Sequence, residues 1–281
     1  MWRFVKEMNM KKGILLAVII SLCTAGFAQA QEGELSGSLD VTYLSAYTWY
    51  GFDMFPGAHG EGATRTTLDL DLYGTGLGLS ARWIRANTAA VDAHGGGVSF
   101  ENGEELWLTL SYSNSCFEYE TYATDYSVGW VNYDYPDEPS KIKDAQEMFA
   151  TFSWPEICPA GVVPSLTFVR LWASQSRAVG NDLSGWVYIF GLGYDLPVED
   201  ILPDLPEQIL HLSLAMVWNE GAGAALVDHD YSHTVFGIST DFDLGHNLTL
   251  TPGIYHQNTP EKSVNPDEDL TYATVGVKWA F

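Results

Sequence analysis

Apolar and polar residues alternate one by one along most of this chain, and the last twelve residues show the pattern most clearly. From Leu270 to Phe281, one face carries Ala273, Val275, Val277 and Trp279, and the other carries Tyr272, Thr274, Gly276 and Lys278. A period of two residues is typical of a β-strand with one apolar and one polar side. We therefore predict a half-polar strand at the end of the chain.

The same alternation recurs upstream and predicts twelve strands. They fall at about 37–52, 64–73, 77–83, 106–112, 117–133, 147–154, 164–172, 186–194, 210–218, 233–242, 248–255 and 270–281. Arg170 is the exception on the apolar face of the seventh strand. Either it reaches from that face to a polar interface, or a bulge shifts the register.

The connections between these strands fall into two length classes. Those after odd-numbered strands are long, and those after even-numbered strands are short, except for the proline-rich stretch 196–208. Bacterial outer-membrane barrels combine short turns on one side with long loops on the other. The closing strand also ends on an aromatic residue, Phe281, and this resembles the closing strand of those barrels, which serves as their assembly signal. We predict an all-β fold, a transmembrane antiparallel up-and-down barrel of about twelve strands with both termini in the periplasm.

The first thirty residues have the pattern of a cleaved signal peptide. Lys11 and Lys12 precede an apolar run from Ile14 to Leu22, and Ala28-Gln29-Ala30 is a small-x-small cleavage site. The expected organisation is a signal peptide at 1–30 and one barrel domain at 31–281. No later run reaches the ~18 to 20 apolar residues that a membrane-spanning helix requires.

The composition is strongly acidic. The chain has 13 Lys and Arg and 36 Asp and Glu, of which four and one lie in residues 1–30, so the mature chain carries 9 and 35 and a net charge of −26. Such a protein repels nucleic-acid phosphates and suits cations or divalent metals as small partners. Aromatic residues make up 14% of the chain, and Trp and Tyr collect at membrane interfaces.

The polar faces of the predicted strands carry mostly acidic groups, and we expect them to line the lumen. The candidate pore-lining residues are Asp40, Asp69, Asp71, Arg82, Glu118, Glu120, Glu147, Asp241 and Lys278. A wall of carboxylates raises the local concentration of cations, so the predicted pore favours small cationic or neutral solutes. The same residues also suit a filled barrel in which Arg82 and Lys278 pair with acids, and the sequence does not separate these alternatives.

Other groups of reactive residues give weaker signals. Asp228, His229, Asp230 and His233 are metal-ligand types close together, but they sit where a long loop meets a strand, and a hydrated acidic loop is commoner. Cys116 and Cys158 lie on neighbouring predicted turns of an exported chain, which permits a disulfide. The alternative is two unpaired thiols at the rim.

An enzymatic function has little support. Some twelve-stranded barrels of this membrane are lipid hydrolases with a serine and a histidine on the outer wall. Here His211 and Ser213 are predicted on the inner face, and no G-x-S-x-G motif accompanies them. We predict no enzyme activity and no cofactor.

The first strand, VTYLSAYTWYGFDM, carries Ser45, Tyr47, Trp49 and Gly51, and a tyrosine-rich segment, VGWVNYDYP, precedes Gln146-Glu147-Met148-Phe149. These segments resemble the TorF-like family of outer-membrane porins, where a serine-x-tyrosine is followed by aromatic-Arg-Gly. Tyr50 stands where that family usually has Arg. The resemblance implies an outer-membrane location and transport.

The expected function is therefore passive diffusion through an outer-membrane porin-like barrel. The alternative is a closed barrel with a structural or adhesive role at the cell surface. The expected partners are outer-membrane lipids, small solutes or cations, and the barrel-assembly machinery, which would bind the strand ending at Phe281.

Overall fold

The structure is a computed structural model that describes residues 33–54, 62–87, 103–136, 144–158, 160–174, 183–198, 208–223, 230–265 and 269–281. The proposed signal peptide and the stretch 199–207 lie outside these ranges. No helix in the described residues is long and apolar enough to cross a membrane.

The described residues form fifteen strands. They are β1 Ser36–Leu44, β2 Thr48–Trp49, β3 Phe52–Asp53, β4 Ala63–Asp71, β5 Leu77–Ala86, β6 Glu104–Cys116, β7 Thr124–Asp134, β8 Ala145–Ser153, β9 Val163–Ala173, β10 Gly185–Val198, β11 Gln208–Glu220, β12 Asp230–Thr240, β13 Phe242–Gly245, β14 Leu248–Asn258 and β15 Asp269–Ala280.

Twelve of these strands close into an antiparallel barrel, which confirms the predicted fold class. The wall consists of all the strands except β2, β3 and β13. Each wall strand pairs with the next wall strand along the chain, so β1 pairs with β4 and β12 pairs with β14. The two ends of the barrel meet where β1 pairs with β15, from Ser38 opposite Ala280 to Leu44 opposite Thr274. The short β13 follows β12 and pairs with the first residues of β14, with Phe242 opposite Leu250. The strands β2 and β3 pair only with each other.

The alternation along each wall strand separates an apolar exterior from a polar interior. Exposed apolar residues form a belt around the outside, which includes Leu39, Val41, Leu108, Leu110, Trp186, Phe236, Ile238, Ile254, Val275 and Val277. Residues at the alternate positions, such as Ser38, Asp40 and Thr42 of β1, point inward. Closing the sheet pairs the backbone groups of all twelve wall strands, so no edge is left open.

The two classes of connection lie at opposite ends of the barrel, as predicted. The short-turn rim carries the turns after β4, β6, β8, β10 and β13 and both ends of the described chain. The long-loop rim carries the segments after β3, β5, β7, β9, β11 and β14. The connections at the short-turn rim span two to nine residues, and those at the long-loop rim span nine to seventeen.

Two predicted strand boundaries are wrong. The first strand was expected to run to Phe52, but β1 ends at Leu44, and the following residues turn into the barrel as the β2–β3 hairpin. A turn was expected at 113–115, but β6 continues to Cys116 because these residues pair with β7, with Ser115 opposite Asp125. The actual turn spans 117–123, so Glu118 and Glu120 are exposed turn residues and not part of the wall.

Candidate functional site

The lumen at the short-turn rim is an open cavity of about 990 Å³. Its walls are made of small and hydroxyl-bearing residues, including Ser36, Ser38, Gly76, Gly78, Ser111, Ser113, Ser115, Ser127, Thr151 and Ser153. We call this cavity the vestibule. Small side chains leave the centre of a twelve-stranded barrel unfilled, and their hydroxyl groups offer hydrogen-bond donors and acceptors to the cavity.

The vestibule is mainly acidic. Asp69, Asp71 and Asp125 line it, and Lys278 is its lining cation among the described residues. The structure therefore brings together three residues predicted to line the pore, Asp69, Asp71 and Lys278. The sequence analysis did not predict Asp125 as a lumen residue, because Asp125 fell within an irregular predicted strand. In the structure it faces the lumen opposite Ser153 and accepts a hydrogen bond from Ser115 Oγ at 2.5 Å.

A second acidic group lies on the inner wall near the same rim. His211 Nδ1 is 2.7 Å from Asp195 Oδ1, and His211 Nε2 is 3.6 Å from Asp241 Oδ2. Thr251 donates a hydrogen bond to Asp241. Both ring nitrogens of His211 thus face carboxylates and not Ser213, so the geometry supplies no histidine base for a serine nucleophile here.

The lumen at the long-loop rim is filled by an inserted segment. Residues Ser45–Met54, which contain the β2–β3 hairpin, turn inward from the top of β1, and we call them the plug segment. Its side chains Tyr47, Trp49 and Met54 are buried in one cluster with residues of the inner wall, including Ile84, Val131, Tyr133, Leu171, Val187 and Val217. Burial of each large apolar side chain contributes roughly 1.5–3 kcal/mol to such packing.

Two glutamates on one side of the wall bind the plug segment. Glu105 accepts hydrogen bonds from Tyr47 Oη at 2.9 Å and Trp107 Nε1 at 2.9 Å. Glu147 accepts hydrogen bonds from Tyr50 Oη at 2.7 Å and Tyr133 Oη at 2.5 Å. Glu147 faces the lumen as predicted, but it lies beneath the plug segment, where it is 5% exposed.

The tyrosines of the plug segment act as neutral hydrogen-bond donors. Burial raises the pKa of the Tyr47 phenol well above its usual range, and the Glu105 carboxylate raises it further. Burial and the Glu147 carboxylate act in the same way on the pKa of Tyr50. Both phenols keep their protons at neutral pH, because loss of either would place a second negative charge beside a buried carboxylate.

The opposite wall holds the turn of the hairpin. Gln257 Nε2 on β14 donates a hydrogen bond to the Gly51 carbonyl at 2.7 Å. Gly51 packs against the His233 ring so closely that a Cβ atom would lie 2.6 Å from His233 Nδ1. Along the ring of twelve wall strands, β12 and β14 lie opposite β6 and β7. The plug segment is therefore anchored on both sides of the lumen and crosses its full width.

Two arginines lie on the inner wall between the plug segment and the vestibule. Arg65 Nη2 is 3.7 Å from Asp40 Oδ1 and donates a hydrogen bond to Thr42 Oγ1 at 3.2 Å. Arg82 lies on the neighbouring strand with its Cζ atom 4.9 Å from the ring centroid of Trp107. The Nε atoms of both arginines are buried without a hydrogen-bond partner among the described residues. The sequence analysis did not predict Arg65 as a lumen residue, because the alternation in β4 was recognised from the leucines that follow it.

The remaining candidate residues are not brought together into a site. Asp228 and His229 lie outside the described residues, whereas Asp230 and His233 lie on β12. In the part of the chain that the structure describes, no group of three or more His, Cys, Asp and Glu is arranged to hold a metal ion. Cys116 and Cys158 are free thiols, so the candidate disulfide is not formed.

A closed barrel with an apolar exterior and a polar interior is the architecture of transmembrane β-barrels, because it satisfies every wall backbone group without water. The fold and the lumen place this chain in that class, with the additional feature of a lumen closed from within.

Comparisons with known proteins give no closer assignment. No protein-family model and no curated protein matches the chain. Among solved structures, the KdgM porin is 10% identical with a TM-score of 0.49, over 88% of this chain and 99% of that chain. The NanC porin is 12% identical with a TM-score of 0.45, over 86% and 97%. LpxR from Salmonella typhimurium is 9% identical with a TM-score of 0.43, over 88% and 100%. These values do not establish a family.

Proposed function

We propose that this protein is an outer-membrane channel for small solutes that the plug segment closes at rest. The observation that carries the proposal is the way in which the lumen is filled. Wall side chains leave the half near the short-turn rim empty, with a cavity of about 990 Å³, and the other half is filled by one chain segment that enters from the rim. A barrel with a purely structural role has no need of a hydrated half-lumen.

The proposed solutes are small cations and neutral molecules. The vestibule has three carboxylates against one lysine, and Asp195 and Asp241 add to the acidic wall nearby. Carboxylates in a low-dielectric wall attract cations and repel anions. Arg65 and Arg82 oppose this effect beneath the plug segment, so the preference for cations is expected to be modest.

In the proposed orientation the long-loop rim faces the outside and both chain ends lie in the periplasm. This follows from the asymmetry of loop length that bacterial barrels share. The strand ending at Phe281 would then present itself to the barrel-assembly machinery from the periplasmic side. Membership of the TorF-like family fits this proposal through the quoted segments of the first strand and of residues 128–149.

A second candidate function is a permanently closed barrel with a structural or adhesive role at the cell surface. The favouring observation is the buried cluster around Trp49 and Tyr133, which packs like a protein core across the mouth. The two functions differ in whether the plug segment ever leaves this position.

Planar-bilayer recording of two forms of the protein separates the candidates. One form is the wild type, and the other replaces residues 46–54 with a Gly-Ser linker of equal length, which keeps the loop but removes its anchoring side chains. Heat-dependent gel mobility establishes that each form is folded. We expect rare, brief, cation-biased openings in the wild type and sustained conductance in the linker form. A folded wild type that never opens would overturn the channel and favour the closed barrel, whether or not the linker form conducts.

A further inference from the structure

Arg170 lies on the outer, membrane-facing surface of the barrel. On β9 it pairs with Met148 of β8 and Trp186 of β10, and neither ladder contains a register shift. Met148 and Trp186 are both exposed apolar residues of the outer belt. The absence of a bulge removes one of the two explanations for this residue, and Arg170 therefore presents its guanidinium to the bilayer side.

Aromatic and polar groups surround this arginine. The Arg170 Cζ atom lies 5.3 Å from the ring centroid of Trp186, in a cation–π contact. Trp186 stacks on Tyr188 with centroids 6.3 Å apart and an interplanar angle of 10°. Tyr188 Oη donates a hydrogen bond to Glu220 Oε2 at 3.1 Å. We call Arg170, Trp186 and Tyr188 the outer arginine patch.

Arg170 has no carboxylate partner in the described part of the chain. The ion pairs found there involve Arg65, Arg85 and His211, and none involves Arg170. Arg85 makes the contrast clear, because it too faces outward near the long-loop rim but pairs with Glu104 at 3.2 Å. An unpaired charge on the lipid-facing surface is unfavourable unless the surroundings supply an anion.

The depth of Arg170 shows which anion is available. It lies three residues from Ala173, where β9 ends at the long-loop rim. With a rise of about 3.3 Å per residue and the usual strand tilt, this is roughly 7 Å below the end of the strand. Trp and Tyr collect at this depth because lipid headgroups begin there. The anions of that layer are lipid phosphates.

We propose that the outer arginine patch binds the phosphate group of a membrane lipid. The guanidinium donates paired hydrogen bonds to two phosphate oxygens, which a planar fork does better than an ammonium group. Trp186 and Tyr188 pack against the glycerol or sugar backbone and the first carbons of the acyl chains. This inference rests on the membrane location in the proposed function but not on conduction, so a closed barrel would bind the lipid equally well.

Native mass spectrometry of the purified protein tests the proposal. The protein is exchanged into detergent micelles that contain either phosphatidic acid or diacylglycerol with the same acyl chains, so the two probes differ only in the phosphate. The variants are Arg170→Gln, Arg170→Lys and, as the matched control at an ion-paired outward arginine, Arg85→Gln. Heat-dependent gel mobility shows that each variant is folded.

We expect the wild type to retain phosphatidic acid in preference to diacylglycerol. Arg170→Gln should lower that retention at least about tenfold, because a charge-assisted hydrogen-bonded pair is lost. Arg170→Lys should keep part of it, and Arg85→Gln should keep all of it. Equal retention by Arg170→Gln and the wild type would overturn the proposal. Displacement by equimolar inorganic phosphate would also overturn it, by showing a site for the free ion.

Discussion

Replacement of Gly51 by alanine should open the channel, because this residue sits where the plug segment meets the far wall. Its φ of +91° is a backbone conformation that costs a residue with a side chain about 1–2 kcal/mol. A Cβ atom would also lie 2.6 Å from His233 Nδ1 and 2.8 Å from Val264 Cγ1. Overpacking of this kind costs about 1–3 kcal/mol.

The two effects together weaken docking of the plug segment by about 2–5 kcal/mol. At 1.4 kcal/mol for each factor of ten, the ratio of undocked to docked hairpin rises roughly 30-fold to several-thousand-fold. Because the Gln257 hydrogen bond to the Gly51 carbonyl depends on the same approach, it weakens along with the packing. Rare openings of the wild type should therefore become frequent.

Single-channel recording measures this as the fraction of time that the channel is open. The matched control is Gly245→Ala, because Gly245 also has a positive φ of +77°, but a Cβ atom there would meet nothing within 4 Å. It lies at the short-turn rim, away from the plug segment. If folded Gly51→Ala stays as closed as the wild type, or if Gly245→Ala opens to the same degree, the plug segment is not the gate.

Three further predictions concern the lumen and the orientation of the barrel. Arg82→Ala, made in the linker form so that current flows, should raise the preference for K⁺ over Cl⁻ up to about 15-fold, since one charge at ~5 Å in water contributes about 0.8 kcal/mol, with opposite sign for the two ions. An unchanged reversal potential would remove Arg82 from the solute path. Asp69→Lys combined with Asp71→Lys in the linker form should move the reversal potential towards the equilibrium potential of Cl⁻. An unchanged reversal potential would show that ions avoid this side of the vestibule. A membrane-impermeant maleimide should label Cys116 and Cys158 in spheroplasts but not in intact cells, and labelling of intact cells would reverse the proposed orientation.

The wall of the barrel could be predicted from the sequence because each wall strand has one side towards the apolar exterior and the other towards the lumen. Trp186 and Tyr188 lie outside while Val187 lies inside, and the period of two residues records this directly. The boundary at Cys116 was harder to predict. Serine is common in turns, but Ser113 and Ser115 pair with β7 here. The turn begins instead at the bulkier Phe117, which has a φ of +58°.

The plug segment was not predictable from alternation. Tyr47 and Trp49 continue the pattern of β1, and an aromatic residue suits a lipid interface as well as a buried core. What turns these residues inward is a set of partners far away in sequence: Glu105, Glu147 and Gln257. The pairing of Tyr50 with Glu147 spans 97 residues, and no local pattern encodes such a contact.

The plug segment continues directly from β1, and β1 is also a strand of the seam at which the barrel closes. Ser45, the first residue of the plug segment, makes two hydrogen bonds to Ala273 of β15. The Ser45 amide donates to the Ala273 carbonyl, and the Ala273 amide donates to Ser45 Oγ. Pairings between such distant parts of a chain form late, because the loop that they close is long. The residue that follows the seam strand β1 is thus held by β15 on one side and begins the plug segment on the other. The pairing that closes the cylinder therefore also fixes the point from which the plug segment enters the lumen.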